Sequence, residues 1–373
     1  MRFVSDVGAT VPFLVLAFAS ATALAFALTP VVRRLAVRYG MVDRPNHRRV
    51  NTRPVPRSGG LAIAAAFLAV AAVLVALNLV FEWVRMPPPL NEWHLVALLG
   101  GGAAAAAIGF IDDALDLRAR WQLLGQVALA VGAVLLGVQI ATVNNPFADG
   151  VIRFDEPVIP LITVLWIIGM INSVNFIDGL DGLSSGIGLI AALTLGVISL
   201  TVQIQQPFVG VLCFALAGAL LGFLRWNFNP ASIFPGTSGT MFIGYTLAVL
   251  SVLGSAKVAV ALLVLGVPII DAFWIIVRRL VARRSPFTPD RGHIHHRLLD
   301  LGLSHRQTVV LIYGICAALG VLSLVLSGAS QVYAFLGVFV GTGLLLLLLA
   351  WGKLGDGALE AESYEPETGA DRG

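Results

Sequence analysis

Runs of about twenty apolar residues recur along almost the whole chain. The stretch "GLAIAAAFLAVAAVLVALNLVF" at 60–81 contains no charged residue. A helix of that length crosses the ~30 Å hydrocarbon core of a bilayer with its backbone N–H and C=O groups paired inside the segment. Hydropathy and helix breakers mark eleven such spans, at roughly 10–32, 59–81, 94–111, 122–143, 158–176, 183–203, 207–225, 238–255, 257–278, 307–328 and 331–351. Composition agrees. Of 373 residues 58% are hydrophobic and only 12% charged, against about 25% charged in an ordinary soluble domain. The expected fold is all-α: a polytopic membrane helix bundle of about eleven transmembrane helices, forming one domain over 1–351. The polar, acidic remainder, 352–373, reads as a disordered tail. The first run lacks a clear cleavage site, so it reads as a retained span. Cys213 and Cys316 lie inside apolar runs and read as small buried hydrophobes.

Eleven spans place the termini on opposite sides, and the basic residues distinguish the two. One side carries 33–58, 112–121, Arg225, 278–306 and the tail, and with them 20 of the 24 Lys and Arg. Arg2, Arg85, Arg153 and Lys257 fall on the other. The positive-inside rule makes the rich side cytoplasmic and the N-terminus external, which predicts a multi-pass membrane protein with its C-terminus inside. The net charge of +3 then reports topology and anionic lipid, with no nucleic acid implied.

On that topology the unusual polar stretches all reach the cytoplasmic side. They are 42–60, "GFIDDALDLRARWQ" (109–122), "NSVNFIDGLDGLSSG" (172–186), 225–244 and 283–308. Asp112 and Asp113 are adjacent carboxylates at a span end. They read either as loop charges or as a pair that binds Mg²⁺ or keeps one carboxylate basic. Asn172, Asn175, Asp178 and Asp181 recur every third residue, and Gly179 and Gly182 end the helix near Asp178. Amide and carboxylate oxygens are suitable hard ligands for Mg²⁺. His293, His295 and His296 lie between Arg291 and Arg297, a setting that suits a phosphate-rich ligand better than zinc. Asp271, inside the ninth span, fits a structural pair with Arg278 and a site role equally. Phe234 is either interface packing or a stacking surface for a nucleobase.

Taken together, these stretches resemble the polyprenyl-phosphate N-acetylhexosamine-1-phosphate transferases, from about Asp43 to about Thr308. "NSVNFIDGLDGL" and "DRGHIHHRLLDLGLSHRQT" carry most of the specificity. The N-terminal pattern "DRPNHRRVNTRPVPRSGGLAI" is similar to the branch that uses UDP-N-acetylhexosamines. The resemblance implies a Mg²⁺-dependent enzyme, with Mn²⁺ as an alternative ion. It would move a sugar 1-phosphate, GlcNAc-1-phosphate in the first instance, from a UDP-sugar to undecaprenyl phosphate and release UMP. Such a reaction begins the assembly of cell-envelope glycans. Phosphoryl transfer needs mainly positioning and charge neutralisation, which these residue types supply. Carried over by position, Asp112 and Asp113 would be the catalytic pair, with Asp178 and Asp181 supporting them. Asn175 would ligate Mg²⁺, and Asn172 and Arg49 would help bind substrate. Asn227 would contact the donor, Phe234 would pack on uracil, and His293, His295 and His296 would hold donor phosphates or sugar.

Three departures stand out. Thr237 occupies the position of a second metal-binding Asp, where a hydroxyl is a weak replacement. Asp113 or Asp181 is the expected compensation. Arg49 and Asn51 replace a usual Lys and His, and Trp121 replaces a common Lys. Thr237 also leaves open a catalytically impaired relative acting as an assembly partner. A transporter or lipid flippase predicts polar residues at mid-membrane depth in several spans and a repeat, whereas here they gather at one surface and no repeat shows. A prenyltransferase predicts an Asp-x-x-x-Asp pair in each of two repeats, and the chain has no such repeated pair. A homodimer is left open by the sequence.

Overall fold

The structure is a computed structural model that describes residues 7–43, 53–86, 90–145, 150–201, 204–254, 258–281, 283, 293–326 and 329–343. Arg49, Asn51, Arg291 and the tail 352–373 lie outside the described residues. Helices dominate. In chain order they are α1 (Val7–Arg38), α2 (Gly60–Phe81), α3 (Glu92–Leu115), α4 (Ala119–Leu135), α5 (Val158–Ile177), α6 (Leu183–Ser199) and α7 (Pro207–Asn227). They continue with α8 (Gly236–Leu253), α9 (Val258–Val264), α10 (Gly266–Val281), α11 (Ile294–Asp300), α12 (His305–Val325) and α13 (Ala329–Gly343). Two short antiparallel ribbons complete the described residues: β1 (Val42–Asp43) with β2 (Val55–Pro56), and β3 (Thr142–Asn144) with β4 (Val151–Arg153).

Seven of these helices, α1, α2, α3, α5, α7, α8 and α12, are long and apolar enough to cross a membrane. The shorter apolar α4, α6 and α13 take three more of the expected positions. The expected fourth span stops early because the chain turns after Leu135 into the β3–β4 ribbon, where the Ile140 N–H donates to Thr163 Oγ1 at 2.9 Å. The expected ninth span is broken: α9 and α10 meet at 78°. Pro268 accounts for the position of the break. Its ring excludes the carbonyl four residues earlier, and α9 ends at that residue, Val264.

Helices α7 and α8 form the centre, with most of each buried, and α1, α2, α3, α5 and α6 surround them. Lipid cannot drive helices together by hydrophobic burial, so close backbone approach matters more than side-chain size. The α1–α7 contact is the most extensive in the molecule and shows this. Ala17, Ala21 and Ala25 form a buried stripe on α1. Facing them, Gly218 and Gly222 on α7 make a small-xxx-small pair. A Cβ on either would lie 2.2 Å from Phe18 O or 2.3 Å from Thr22 O. Outward faces carry exposed Val, Leu and Phe, among them Val80, Leu135 and Phe273, as a lipid solvent requires. Alternation of the chain brings the C-terminal ends of α1, α3, α5, α7 and α10 to one end of the bundle. The N-terminal ends of α2, α4, α6, α8 and α12 meet them there.

Candidate active site

A cavity of about 340 Å³ opens at that end. Asp43, Asp113, Asp178 and Asp181 line it with Arg57, Asn175, Asn227, Phe234, Thr237, His296 and His305. The adjacent pair Asp112–Asp113 divides, because successive residues on a helix point about 100° apart. Asp112 turns to the α3–α4 connection. Its Oδ1 accepts from Leu117 N at 3.1 Å and Gln122 Nε2 at 2.7 Å. Asp113 faces the cavity across the N-terminus of α8. Its carboxylate accepts from Thr237 N (2.8 Å), Ser238 N (3.2 Å) and Ser238 Oγ (2.8 Å). This places a negative charge at the positive end of the helix dipole. Gly236 permits the contact: its φ is +67°, and a Cβ there would fall 2.6 Å from Asp113 Oδ2. Thr237 therefore meets Asp113 through its backbone.

The Asn172–Asp181 segment divides in the same way. Asn172 pairs with Gln126 on α4, donating through Nδ2 to Oε1 at 2.6 Å. Asn175 faces the cavity, where Oδ1 accepts from Thr240 Oγ1 at 2.9 Å. Asp178 follows the last residue of α5, as the glycines predicted. Its Oδ1 accepts from Ser184 Oγ at 2.5 Å. Burial lifts its carboxyl to about 7. The Ser184 hydroxyl opposes that rise, while the charges of Asp113 and Asp181 add to it. Asp181 Oδ2 accepts from Asn229 Nδ2 (2.8 Å) and Ala231 N (2.9 Å), which fixes the loop before α8. Asn227 holds that loop from inside, through Ile233 O at 3.0 Å and Ser185 Oγ at 3.0 Å. Phe234 is tied to β2 by Phe234 N to Pro56 O at 2.8 Å.

The three histidine rings pack in a row, His293 against His295 with centroids 5.5 Å apart and His295 against His296 at 4.4 Å, but they line different spaces. His296 lines the polar cavity. His295 is buried against Gly179, where a Cβ would lie 2.1 Å from Nε2. Neither ring nitrogen of His295 has a partner among the described residues. Burial, then the charges of His296, His293 and His305, hold it well below the usual imidazole range, so it stays neutral. His293 lines a second cavity, of about 720 Å³, between α4, α5 and α10. Leu123, Leu165, Ile168, Ile269, Phe273 and Ile276 give that cavity an apolar wall. Gln122, Gln126, Asn172, Arg279 and His293 give it polar groups near the site end. Asn175 lines both cavities.

Arg57 is a lining residue that the motif reading passed over. Its Nη2 lies 2.8 Å from Asp116 Oδ1, and its buried Nε has no partner among the described residues. The signal was a single Arg in a basic loop, with nothing local to separate it from its neighbours. Asp271, by contrast, finds a clear partner: its carboxylate meets His293 Nδ1 at 2.7 Å and accepts from Ile294 N at 2.8 Å.

The chain is similar to known proteins over most of its length. Residues 95–255 match the model for "Glycosyl transferase family 4". A probable undecaprenyl-phosphate N-acetylglucosaminyl 1-phosphate transferase of Bacillus subtilis is 34% identical over 85% of this chain and 86% of its own length. A decaprenyl-phosphate N-acetylglucosaminephosphotransferase of Mycolicibacterium smegmatis is 36% identical over 95% of this chain and 94% of its own. An undecaprenyl-phosphate alpha-N-acetylglucosaminyl 1-phosphate transferase of Pasteurella multocida is 33% identical, covering 80% and 83%. Similarity of this extent covers most of the chain, and the chain therefore belongs to glycosyl transferase family 4.

Proposed function

We propose that the protein transfers N-acetylglucosamine 1-phosphate from UDP-N-acetylglucosamine to undecaprenyl phosphate, with release of UMP. One observation carries the reading. A polar cavity rich in carboxylates adjoins a larger apolar cavity, and Asn175 belongs to both. A water-soluble nucleotide sugar and a lipid phosphate need that combination at a membrane surface. The acceptor phosphate oxygen forms a bond to the phosphorus that carries the sugar, and the bond to the UMP oxygen breaks. Asp113, held by the α8 N-terminus, orients the acceptor phosphate or takes its proton. The Lys and Arg distribution favours a site that faces the cytoplasm of a bacterial cell.

Oxygen donors from Asp113, Asn175, Asp178 and Asp181 suit Mg²⁺, which binds few protein ligands and completes its shell with water and phosphate. Among the described residues no three Asp, Glu, His or Cys lie close enough to enclose an ion, so an ion here would take most of its shell from water and phosphate. Asn175, with Asp178 or Asp181, would hold it, and the ion would neutralise the diphosphate. Thr237 brings only a neutral hydroxyl to the cavity wall, a weaker donor to a hard dication than a carboxylate.

The test is UMP release by purified protein given undecaprenyl phosphate and UDP-N-acetylglucosamine, with and without Mg²⁺. Metal-dependent release is expected, with kcat lowered about 10²–10⁴-fold in Asp113→Asn. No turnover by the native chain with this or other UDP-N-acetylhexosamines, but turnover by Thr237→Asp, would identify an impaired relative instead.

A further inference from the structure

We infer that His293, oriented by Asp271, is a binding group for the phosphate of the lipid acceptor, and that the His293–His296 motif is shared between the two substrates. The inference rests on the transferase reading and assigns one of its residues. Three observations carry it. His293 lines the apolar cavity, whereas His296, three residues on, lines the polar one. Asp271 is 1% exposed and grips both His293 Nδ1 and the Ile294 N–H, so one buried carboxylate fixes the imidazole and the start of α11 together. With Nδ1–H donated to that carboxylate, Nε2 is the nitrogen left for the cavity, and in the imidazolium form it too carries a proton to donate to a phosphate oxygen. Arg279, eight residues beyond Asp271 on α10, brings a guanidinium to the same cavity. Lipid tails need only the apolar wall of Leu and Ile. A phosphate monoester needs hydrogen-bonding and cationic groups at one end of it, and His293 and Arg279 are the groups of that kind. The donor's diphosphate belongs to the polar cavity with His296.

A purely structural role for His293, as a staple between α10 and α11, would need Nδ1 alone. Two variants separate the roles. His293→Asn places an amide near Nδ1 and keeps the Asp271 contact, while His293→Gln places one near Nε2. KM for undecaprenyl phosphate and for UDP-N-acetylglucosamine would be measured in turn for the native chain and both variants. In parallel, thermal shift would follow the binding of a short-chain polyprenyl phosphate, its dephosphorylated alcohol and inorganic phosphate. Expected for His293→Asn is an acceptor KM raised about tenfold or more at unchanged donor KM. The same variant should bind polyprenyl phosphate correspondingly more weakly, with binding of the alcohol unchanged. His293→Gln should recover most of the loss. Native behaviour of His293→Asn, a rise in donor KM alone, or equal loss of alcohol binding would overturn the inference. So would inorganic phosphate binding as tightly as the lipid. A native chain that binds polyprenyl phosphate but releases no UMP would strike the transferase reading, and the binding arm would still judge His293.

Discussion

At the scale of single residues, Asp178 and Arg57 give the sharpest expectations. Asp178 keeps its proton up to about pH 7 in the folded protein, against 3.8 for an ordinary carboxyl. Between those values the folded state binds the extra proton. The resulting stabilisation is full below the lower value and disappears as pH rises through about 7. Thermal unfolding in detergent should therefore show stability falling from about pH 4 to about pH 7, by on the order of a few kcal/mol from this group. Asp178→Asn should flatten that slope; an unchanged slope would remove Asp178 as its source. Arg57 is the guanidinium among the described residues of a cavity with four carboxylates. A diphosphate entering such a field needs it. Arg57→Ala should raise donor KM about tenfold or more while leaving acceptor KM alone, and Arg57→Lys should recover part of the loss. A raised acceptor KM would instead assign Arg57 to the lipid.

At the scale of elements, backbone contact between helices sets what substitution can be tolerated. Gly218 meets Phe18 O too closely for any side chain. Gly218→Ala should lower stability by about 1–3 kcal/mol by separating α1 from α7, read as an earlier unfolding transition at unchanged KM values. Helix positions were legible from the sequence because apolar runs of fixed length leave few choices in a bilayer. The ends of α2, α5 and α7 fall within about two residues of expectation. The break in the ninth span was less so. Pro268 stood in plain view, yet hydropathy alone runs straight through it, and only the neighbouring helices show that the freed backbone is accommodated. The site divides likewise. Asp113, Asn175, Asp178, Asp181, Asn227, Phe234, Thr237 and His296 were all singled out, and they share one cavity. Side-chain direction was not legible. Nothing in "DD" says that Asp112 closes a turn while Asp113 faces the cavity, and nothing in "HIHH" separates His293 from His296. Pairings across long stretches of chain were invisible for the same reason. Arg57 with Asp116 and Asn175 with Thr240 exist only because helices far apart in sequence end at one surface.

At the scale of the molecule, the two cysteines give a direct route to orientation. Cys213 and Cys316 are both free and fully buried, so the folded protein should ignore membrane-impermeant thiol reagents. Asp116→Cys then introduces one reactive thiol at the site end, since the Asp116 side chain is 80% exposed. Labelling should occur in inverted vesicles and not in intact cells, with the reverse pattern for Glu82→Cys at the opposite end. The opposite result would invert the topology drawn from the basic residues. The central place of α8 has a consequence for how the protein is made. It is the least apolar of the seven long helices, with mean hydropathy 1.4, and also among the most enclosed. Left alone in lipid beside the translocon, it would be a poor candidate for insertion. Its main neighbours, α3, α5, α2 and α6, all precede it in the chain. These main neighbours of α8 are therefore all synthesised before it, so synthesis order can offer this helix the partners that its own hydropathy does not replace.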